Sequence, residues 1–394
     1  IFIVAAVFCF FCQSAALQAA EPEKISGRAS KLMAAENIPG AAVFVIHNGV
    51  PLYGRAFGYA DIKSKTRFDF DKTVFAAGSL SKVVTAAAVL KLSENKRLAL
   101  DSPIAGCLAG INGPSKLSGL PVFKKAGNIT PLSLLTHSSG FANCADLYAK
   151  KPSASAVLSP QVSGRVAVPP PAFDFIVKNV PRLSHKNINT KFEYSNFNYA
   201  LLGHLIEESE NISFDEYIKN NLFSPLKMNY SSFSRARLFE SLEGSGYEVN
   251  FASGYDFTDG EFSEVLYPDH NMPAASGLLT SAADIEKFAA MLVLLCASAP
   301  SSDSAGLLFK PCLPVKKSEA AFLDAFPLID SMAAGFRHSL FRGRDIFWHT
   351  GSVRGFSCGL YIVPQTSSAF FIACNSSNSV FRRKLIKYLM DEFL

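Results

Sequence analysis

A serine and a lysine three positions apart, Ser79 and Lys82, have the types and the spacing that nucleophilic catalysis requires. On a helix, positions i and i+3 share a face, so the lysine amine reaches the serine hydroxyl. A neutral amine there accepts the proton that a free hydroxyl retains at neutral pH. Backbone N–H groups of a first helical turn also favour the developing negative charge. The pair predicts an acyl-enzyme on Ser79.

The same four-residue pattern occurs twice more, so taken alone it is weak evidence. Ser93-x-x-Lys96 lies at a polar helix end, and Ser224-x-x-Lys227 contains a proline and indicates a turn. Small residues before Ser79 and an apolar segment after it favour the first copy. A lysine buried there without a function would be costly unless it were paired. The alternative is an ordinary helix start with an exposed lysine.

Two further segments offer partners for this serine. Tyr194-Ser195-Asn196 directly precedes an apolar helix, so a loop there projects a phenol and a carboxamide into a cleft. His349-Thr350-Gly351 ends a short predicted strand, and its glycine lets a substrate backbone approach the strand edge. The sequence therefore predicts one site made of three separate segments.

The order of these segments resembles the serine β-lactamase and penicillin-binding-protein superfamily. Its class A branch carries a related set with Ser-Asp-Asn and Lys-Thr-Gly. Tyr-Ser-Asn with His-Thr-Gly is similar instead to the class C β-lactamase and DD-carboxypeptidase branch. The likeness runs from about Ile38 to the C-terminus and includes the segments Ile38–Ala42, Leu134–Gly140 and Ser276–Asp284.

This resemblance implies an α/β (α+β) fold of the β-lactamase/transpeptidase type. It comprises an antiparallel five-stranded sheet built from both termini, flanked by helices, with a mainly helical region inserted. Strand patterns near both ends of the chain agree with this arrangement. We expect residues 21–394 to form one catalytic domain, with the sheet in about 21–75 and 335–394 and the helical region in about 76–334.

Particular elements follow from periodicity and turn residues. Asn48-Gly49 between two apolar runs predicts a hairpin. The predicted helices cover residues 24–37, 79–92 and 380–394, and the predicted strands cover 40–46, 51–59, 346–348, 357–363 and 369–373. A loop rich in Pro, Ser and Ala, Lys151–Pro171, is long enough to border a site and to influence substrate choice.

The resemblance also implies a role for each residue. Ser79 is then the acylated nucleophile, and Lys82 accepts its proton. Tyr194 passes that proton to the leaving group and activates water for deacylation, while Asn196 binds the substrate amide. Backbone N–H groups of Ser79 and Ser352 form the oxyanion hole, where loss of one donor costs on the order of a hundred- to a thousandfold in rate.

Position 349 separates subgroups of the family. Most β-lactamases of this branch have Lys there, whereas some DD-carboxypeptidases and esterases have His. A histidine is only partly charged near neutral pH, so we expect its attraction for a substrate carboxylate to weaken as pH rises. His349, Thr350, Gly351 and Ser352 are expected to line the substrate, and Arg354 offers a fixed charge. The alternative for Arg354, an exposed arginine on a loop, is favoured.

Other polar residues receive simpler interpretations. His137 could act as a second base, but its setting favours a buried turn residue. Cys358 and Cys374 flank a turn and are predicted to pair across a hairpin in an oxidising compartment. No pair shows Cys-x-x-Cys spacing in the mature chain, so the sequence predicts neither a metal nor another cofactor.

Residues 1–20 carry no charge: an apolar run reaches about Cys12, and small residues follow through Ala20. This pattern is typical of a secretory signal peptide whose start is missing, with an uncleaved membrane anchor as the alternative. The sequence therefore predicts a periplasmic or extracellular protein. Contact with a membrane is expected only through this segment.

The composition is that of a globular protein, with 49% hydrophobic and 18% charged residues among 394. Lys and Arg number 38 against 33 Asp and Glu, without a basic run, which argues against nucleic acid as a partner. Three functions stay open. The first is hydrolysis of acyl-D-Ala-D-Ala peptides, the second is an esterase or β-lactamase, and the third is a non-catalytic penicillin-binding sensor. An intact Ser79, Lys82 and Tyr194 argue against the third.

Overall fold

The computed structural model describes most of the chain. The described residues are 21–108, 115–120, 123, 128–143, 176, 188–243, 245–265, 272–298, 304–320 and 326–394. The segment 1–20, interpreted as a signal peptide or anchor, and the whole loop Lys151–Pro171 lie outside them. None of the helices in the described ranges has the length and apolar character that a bilayer crossing requires.

Strands cluster toward both ends of the described chain, and most of the helices lie between them. The strands are β1 Gly40–His47, β2 Val50–Asp61, β3 Thr66–Arg67, β4 Thr73–Gly78, β5 Asn250–Phe251, β6 Gly254–Thr258, β7 Glu261–Val265, β8 Leu278–Thr280, β9 Leu313–Pro314, β10 Ser331–Met332, β11 Arg337–Phe341, β12 Arg344–Val353, β13 Phe356–Val363 and β14 Ser368–Cys374. The helices are α1 Glu21–Glu36, α2 Ser81–Glu94, α3 Pro131–Leu135, α4 Asn196–Glu210, α5 Phe214–Ile218, α6 Arg235–Leu242, α7 Pro273–Ser276, α8 Ala282–Ser298, α9 Lys317–Ala320 and α10 Val380–Phe393.

The main sheet is antiparallel and joins the two ends of the chain. Its order is β3-β2-β1-β14-β13-β12-β11-β10-β9, and β1 pairs with β14 so that Ala41 lies opposite Cys374. The antiparallel sheet with flanking helices was predicted, but its five strands were not the full count. Within the described chain this sheet has nine strands, because short strands of two to five residues extend it beyond its five long strands. Such short pairings leave too little periodicity in the sequence to be detected.

Each face of the sheet covers a separate hydrophobic core. Along β1, Val43 and Val45 pack with α1 and α10, whereas Phe44 and Ile46 pack toward α2, α8 and the helical region. A strand that is buried on both faces is apolar at nearly every position, which is why residues 40–46 form a continuous apolar run.

Helix α2 begins two residues later than predicted, at Ser81. Ser81 explains the tight entry: its hydroxyl donates to Gly78 O at 2.6 Å and accepts from Leu278 N at 2.9 Å. Gly78 has φ +52°, a conformation that glycine adopts without steric cost. Ser79 therefore lies in a sharp turn between β4 and α2 rather than inside the helix.

The predicted bond between Cys358 and Cys374 is wrong, since both thiols are free. In the β13–β14 ladder, Ser357 lies opposite Cys374 and Cys358 lies opposite Ala373. An offset of one residue places the two side chains on opposite faces of the sheet. Accordingly, Cys358 packs in the core on the α2 side and Cys374 in the core on the α10 side.

Candidate active site

The Ser79 hydroxyl lies between an amine and a phenol. Lys82 Nζ donates to Ser79 Oγ at 3.2 Å, and Tyr194 OH donates to the same oxygen at 3.0 Å. Lys82 comes from the first turn of α2, whereas Tyr194 comes from the loop that precedes α4. The structure thus brings together two of the three predicted segments at hydrogen-bonding distance.

Lys82 is fully buried and bonded to neutral oxygens. Besides Ser79 Oγ, its amine donates to Asn196 Oδ1 at 2.5 Å and to Ala275 O at 2.8 Å. Burial lowers the pKa of Lys82 and the charge of Arg337 lowers it further, while Tyr194 opposes part of this shift. A lysine with a depressed pKa is neutral more often, so it accepts a proton from Ser79 more readily.

The Tyr194 phenol is more acidic than an ordinary tyrosine. Burial by itself raises its pKa, but the nearby charges of Lys82 and Arg337, together with hydrogen bonds from Lys82 and to Ser79, bring the pKa below its usual value. Lys82 Nζ also lies 5.0 Å from the centre of the phenol ring. A phenol of this kind exchanges a proton with neighbouring groups near neutral pH more easily.

Asn196 is the first residue of α4, and its amide is oriented by the lysine. Because Oδ1 accepts from Lys82, the Nδ2 group faces away from the amine and lies 3.5 Å from Asn143 Oδ1. Asn196 can therefore donate a hydrogen bond to a substrate carbonyl at the mouth of the site.

His349 on β12 is buried, and its surroundings favour the neutral imidazole. Burial lowers its pKa well below the ordinary value, and the charges of Arg337 and Lys82 lower it further. Its Nδ1 lies 2.9 Å from Thr350 O, and its ring centre lies 6.5 Å from that of Tyr194. The sequence led us to expect a partly charged imidazole, but complete desolvation next to Arg337 disfavours its protonated form.

Arg337 on β11 is the charged residue of the site that the sequence did not reveal. Its side chain is buried, its Nη1 donates to Thr350 Oγ1 at 2.8 Å, and its Nε has no partner among the described residues. The guanidinium carbon lies 5.0 Å from the Trp348 ring centre and 5.8 Å from that of Tyr194. No carboxylate in the described ranges pairs with it. A lone arginine in an apolar segment forms no motif, and only the pairing of β11 with β12 places it here.

The backbone of β12 lies directly against β4 near the nucleophile. A Cβ atom on Gly351 would stand 1.8 Å from Ala77 O, and one on Gly78 would stand 3.2 Å from Ser352 N. The chain around Ser79 and the amide of Ser352 are therefore close neighbours. Two N–H groups in such an arrangement can stabilise an oxyanion that forms on the substrate.

Arg354 does not join the other predicted residues. Its side chain is 77% exposed, and its Nε forms an ion pair with Asp256 on β6 at 2.8 Å. The interpretation as an exposed loop arginine describes this position, and the fixed charge within the site belongs to Arg337 instead.

This geometry fits acyl transfer. A hydroxyl nucleophile, two proton-transfer groups, an amide donor and two convergent backbone N–H groups are the parts that this chemistry requires. Among the described residues, no three His, Cys, Asp or Glu side chains form a group that could hold a metal ion.

Both the sequence and the fold of this chain resemble those of known proteins. A sequence model of the family described as Beta-lactamase matches residues 25–394. "Protein flp" of Staphylococcus aureus (strain NCTC 8325 / PS 47) is 24% identical over 371 residues, which cover 91% of this chain and 64% of that protein. The chain thus spans slightly less than two thirds of the length of this relative.

Two solved structures show a similar fold. The octameric penicillin-binding protein homologue from Pyrococcus abyssi superposes with a TM-score of 0.73 at 24% identity, covering 94% of this chain and 78% of that one. The D-amino acid amidase from Ochrobactrum anthropi SV3 has a TM-score of 0.67 at 17% identity, covering 92% and 96%. With the family match over nearly the whole length, the chain belongs to the Beta-lactamase family of serine hydrolases.

Proposed function

We propose that the protein is a DD-carboxypeptidase-like hydrolase that releases the terminal residue of acyl-D-Ala-D-Ala peptides through an acyl-enzyme on Ser79. The observation that carries this proposal is the guanidinium of Arg337. It is buried next to Tyr194 and has no carboxylate partner in the described chain. A buried unpaired charge is unfavourable, so a substrate that brings its own carboxylate gains from binding here.

The reaction follows from the hydrogen bonds around Ser79. Neutral Lys82 takes the hydroxyl proton as Oγ attacks the carbonyl of the penultimate residue, and the resulting oxyanion accepts from the N–H groups of Ser79 and Ser352. Tyr194 donates a proton to the departing amine, and the C–N bond breaks. Water then attacks the ester while the Tyr194 phenolate takes its proton. The C–O bond to Ser79 breaks, Oγ regains its proton from Lys82, and the shortened peptide leaves.

In this proposal His349 is neutral and is not the group that binds the substrate carboxylate. Since the imidazole carries no charge, it does not compete with Arg337 for the carboxylate. Thr350, which accepts from Arg337, then lies beside the bound carboxylate and can donate its hydroxyl proton to it. Recognition of the carboxylate is therefore expected to persist above pH 7, in contrast to recognition by a titrating histidine.

The test measures release of D-Ala from an acyl-D-Ala-D-Ala peptide and of D-alaninamide from the C-terminal amide of that peptide. We expect Arg337→Met to lower kcat/KM for the acid by about 100-fold, the loss of one desolvated charge-assisted contact, and to leave the amide nearly unchanged. Ser79→Ala should abolish both reactions. Arg354→Met, which removes an arginine outside the site, is the matched control and should change neither.

Intact-mass measurement gives an independent readout of the nucleophile. A fluorescent penicillin and an active-site ester should each add covalently to the wild type and not to Ser79→Ala. Equal turnover of acid and amide by the wild type would refute the carboxylate part of the proposal. Absence of any Ser79-dependent adduct or hydrolysis would favour a non-catalytic sensor.

A β-lactamase is the second candidate, because a penicillin also carries a carboxylate that Arg337 can bind. Asn196, at the mouth of the site, is available to either amide carbonyl. The lifetime of the penicillin adduct separates the two functions. An adduct that persists for many minutes supports the carboxypeptidase, and one that hydrolyses within seconds supports the β-lactamase.

We also propose that the protein is exported, as the uncharged residues 1–20 suggest. Cell-wall peptides lie outside the cytoplasm, so the substrate and the location support each other. Fractionation of cells that produce the full chain measures this directly. Recovery of the protein, with residues 1–20 intact, only in the cytoplasm would contradict it.

A further inference from the structure

His137 contacts the loop that carries Tyr194 on both sides of that residue. The amide of Glu193 donates to His137 O at 2.8 Å, and the amide of Ser195 donates to His137 Nδ1 at 3.2 Å. The imidazole itself packs on the phenol ring, with 4.5 Å between the ring centres. One residue thus fixes the backbone before Tyr194, the backbone after it, and the face of its ring.

A chain of hydrogen bonds fixes the tautomer of this imidazole. Ser139 Oγ donates to Asn198 Oδ1 at 2.6 Å, which turns the Asn198 amino group toward His137 Nδ1 at 3.2 Å. With Ser195 N also donating to Nδ1, that nitrogen is an acceptor and the proton lies on Nε2. All four residues are buried, so these bonds do not exchange with solvent.

The backbone of His137 is held in an uncommon conformation. Its φ is +56°, in the left-handed region where non-glycine residues are rare. Neighbouring Thr136 and Ser138 hold this turn through side-chain bonds to Leu132 O and to each other. Residues kept in such conformations occur where the surrounding structure over-determines them, often beside functional groups.

We infer that His137 is a positioning residue that holds the Tyr194 hydroxyl against Ser79, and this inference rests on the proposed acyl-enzyme reaction. Tyr194 OH must stay within hydrogen-bonding distance of Ser79 Oγ, now 3.0 Å, to exchange a proton with it and with the leaving group. Displacement of a reacting group by about 1 Å can cost on the order of 100-fold in rate. His137 itself touches neither the nucleophile nor, in the proposed reaction, the substrate.

Two substitutions separate its contributions. His137→Asn keeps an acceptor near the position of Nδ1 and tolerates a positive φ. His137→Leu keeps a similar volume but leaves the Ser195 amide buried without an acceptor. We expect His137→Leu to lower kcat for amide hydrolysis by about 100-fold while KM changes less than about threefold, and His137→Asn to recover most of the rate.

A comparison of amide and ester substrates shows whether His137 acts through Tyr194. An amide needs a proton on its leaving group, whereas an activated aryl ester does not. His137→Leu should therefore slow the amide far more than the ester. In the background of Tyr194→Phe, the same substitution should have little further effect, because the hydroxyl that it positions is already absent.

The control is His204→Leu, which removes another buried histidine on the adjacent helix α4 and should leave the amide-to-ester ratio unchanged. Equal losses on amide and ester, or additive losses with Tyr194→Phe, would overturn the inference even if the wild type acylates on Ser79. If the wild type itself shows no Ser79-dependent acylation, the proposed function fails first. Thermal unfolding of each variant confirms that the comparison is made between folded proteins.

Discussion

Two buried histidines, His137 and His349, make the stability of the folded protein depend on pH. In both, burial lowers the pKa well below the ordinary value, and the charges of Lys82 and Arg337 add to the shift. Unfolded, each titrates near about 6.5. Below that pH the unfolded chain binds protons that the native protein does not, so the free energy of unfolding falls as pH decreases.

The expected size of this effect is about 1.4 kcal/mol per pH unit for each histidine that stays neutral in the native state. We expect stability to be complete above about pH 7 and to decline from about pH 6.5 downward. Urea unfolding at pH 7.5 and 5.5 measures the decline. His349→Gln should reduce the difference in unfolding free energy between pH 7.5 and 5.5 by about 1 kcal/mol. An unchanged difference would show that His349 has the same pKa in the native and unfolded states.

Sequence patterns found the residues of this site that lie in short linear motifs. Ser79 with Lys82, and Tyr194 with Asn196, were identified because each pair is local and the segments recur in a known order. Arg337 was missed because its relation to the site depends on strand register, which a single sequence does not contain. The charge state of His349 could likewise not be predicted from the sequence, since desolvation is a property of the folded environment.

At the scale of elements, the contact between β4 and β12 leaves the least room for an added Cβ among the glycines of the described chain. A Cβ at Gly351 would stand 1.8 Å from Ala77 O, which is backbone and cannot rotate away. We expect Gly351→Ala to separate the two strands, to destabilise the protein by several kcal/mol and to abolish acylation of Ser79. Chemical denaturation together with penicillin labelling measures both effects.

Gly27→Ala is the matched control for this change. Gly27 lies within α1, and a Cβ there meets no atom within 4 Å. Alanine at that position should stabilise the helix by up to about 1 kcal/mol and leave acylation unchanged. Comparable losses of stability and of Ser79 acylation in the two variants would mean that the β4–β12 contact does not determine either property.

The positions of helices and strands were predicted correctly where one periodic pattern or turn motif was clear. They were predicted wrongly where tertiary contacts set a helix start or a strand register. The Asn48-Gly49 hairpin and the helix at 380–394 match the structure closely. Helix α2 starts late because Ser81, not Ser79, bonds to the turn at Gly78. The predicted disulfide between Cys358 and Cys374 was wrong because the strand register differs by one residue. A shift of one residue moves a side chain to the other face of the sheet.

For the whole molecule, the family resemblance predicted the architecture correctly because its motifs span nearly the entire chain. An antiparallel sheet with helices on both faces follows from strands at both termini and helices between them. The same sheet pairs β11 with β12 and brings β12 against β4, so Arg337 and the nucleophile belong to one site. The site is therefore a property of the complete sheet rather than of any single region.

The pairing of β1 with β14 has a further consequence for how the chain folds. β1 is made long before β14, yet the two strands are neighbours in the sheet, with Ala41 opposite Cys374. Until β14 emerges from the ribosome, the hydrogen-bonding edge of β1 stays unsatisfied, and the sheet lacks its central strand. Contacts so distant in sequence slow folding, so we expect this edge of β1 to remain unpaired, and the nascent chain to depend on chaperones, until β14 has been made.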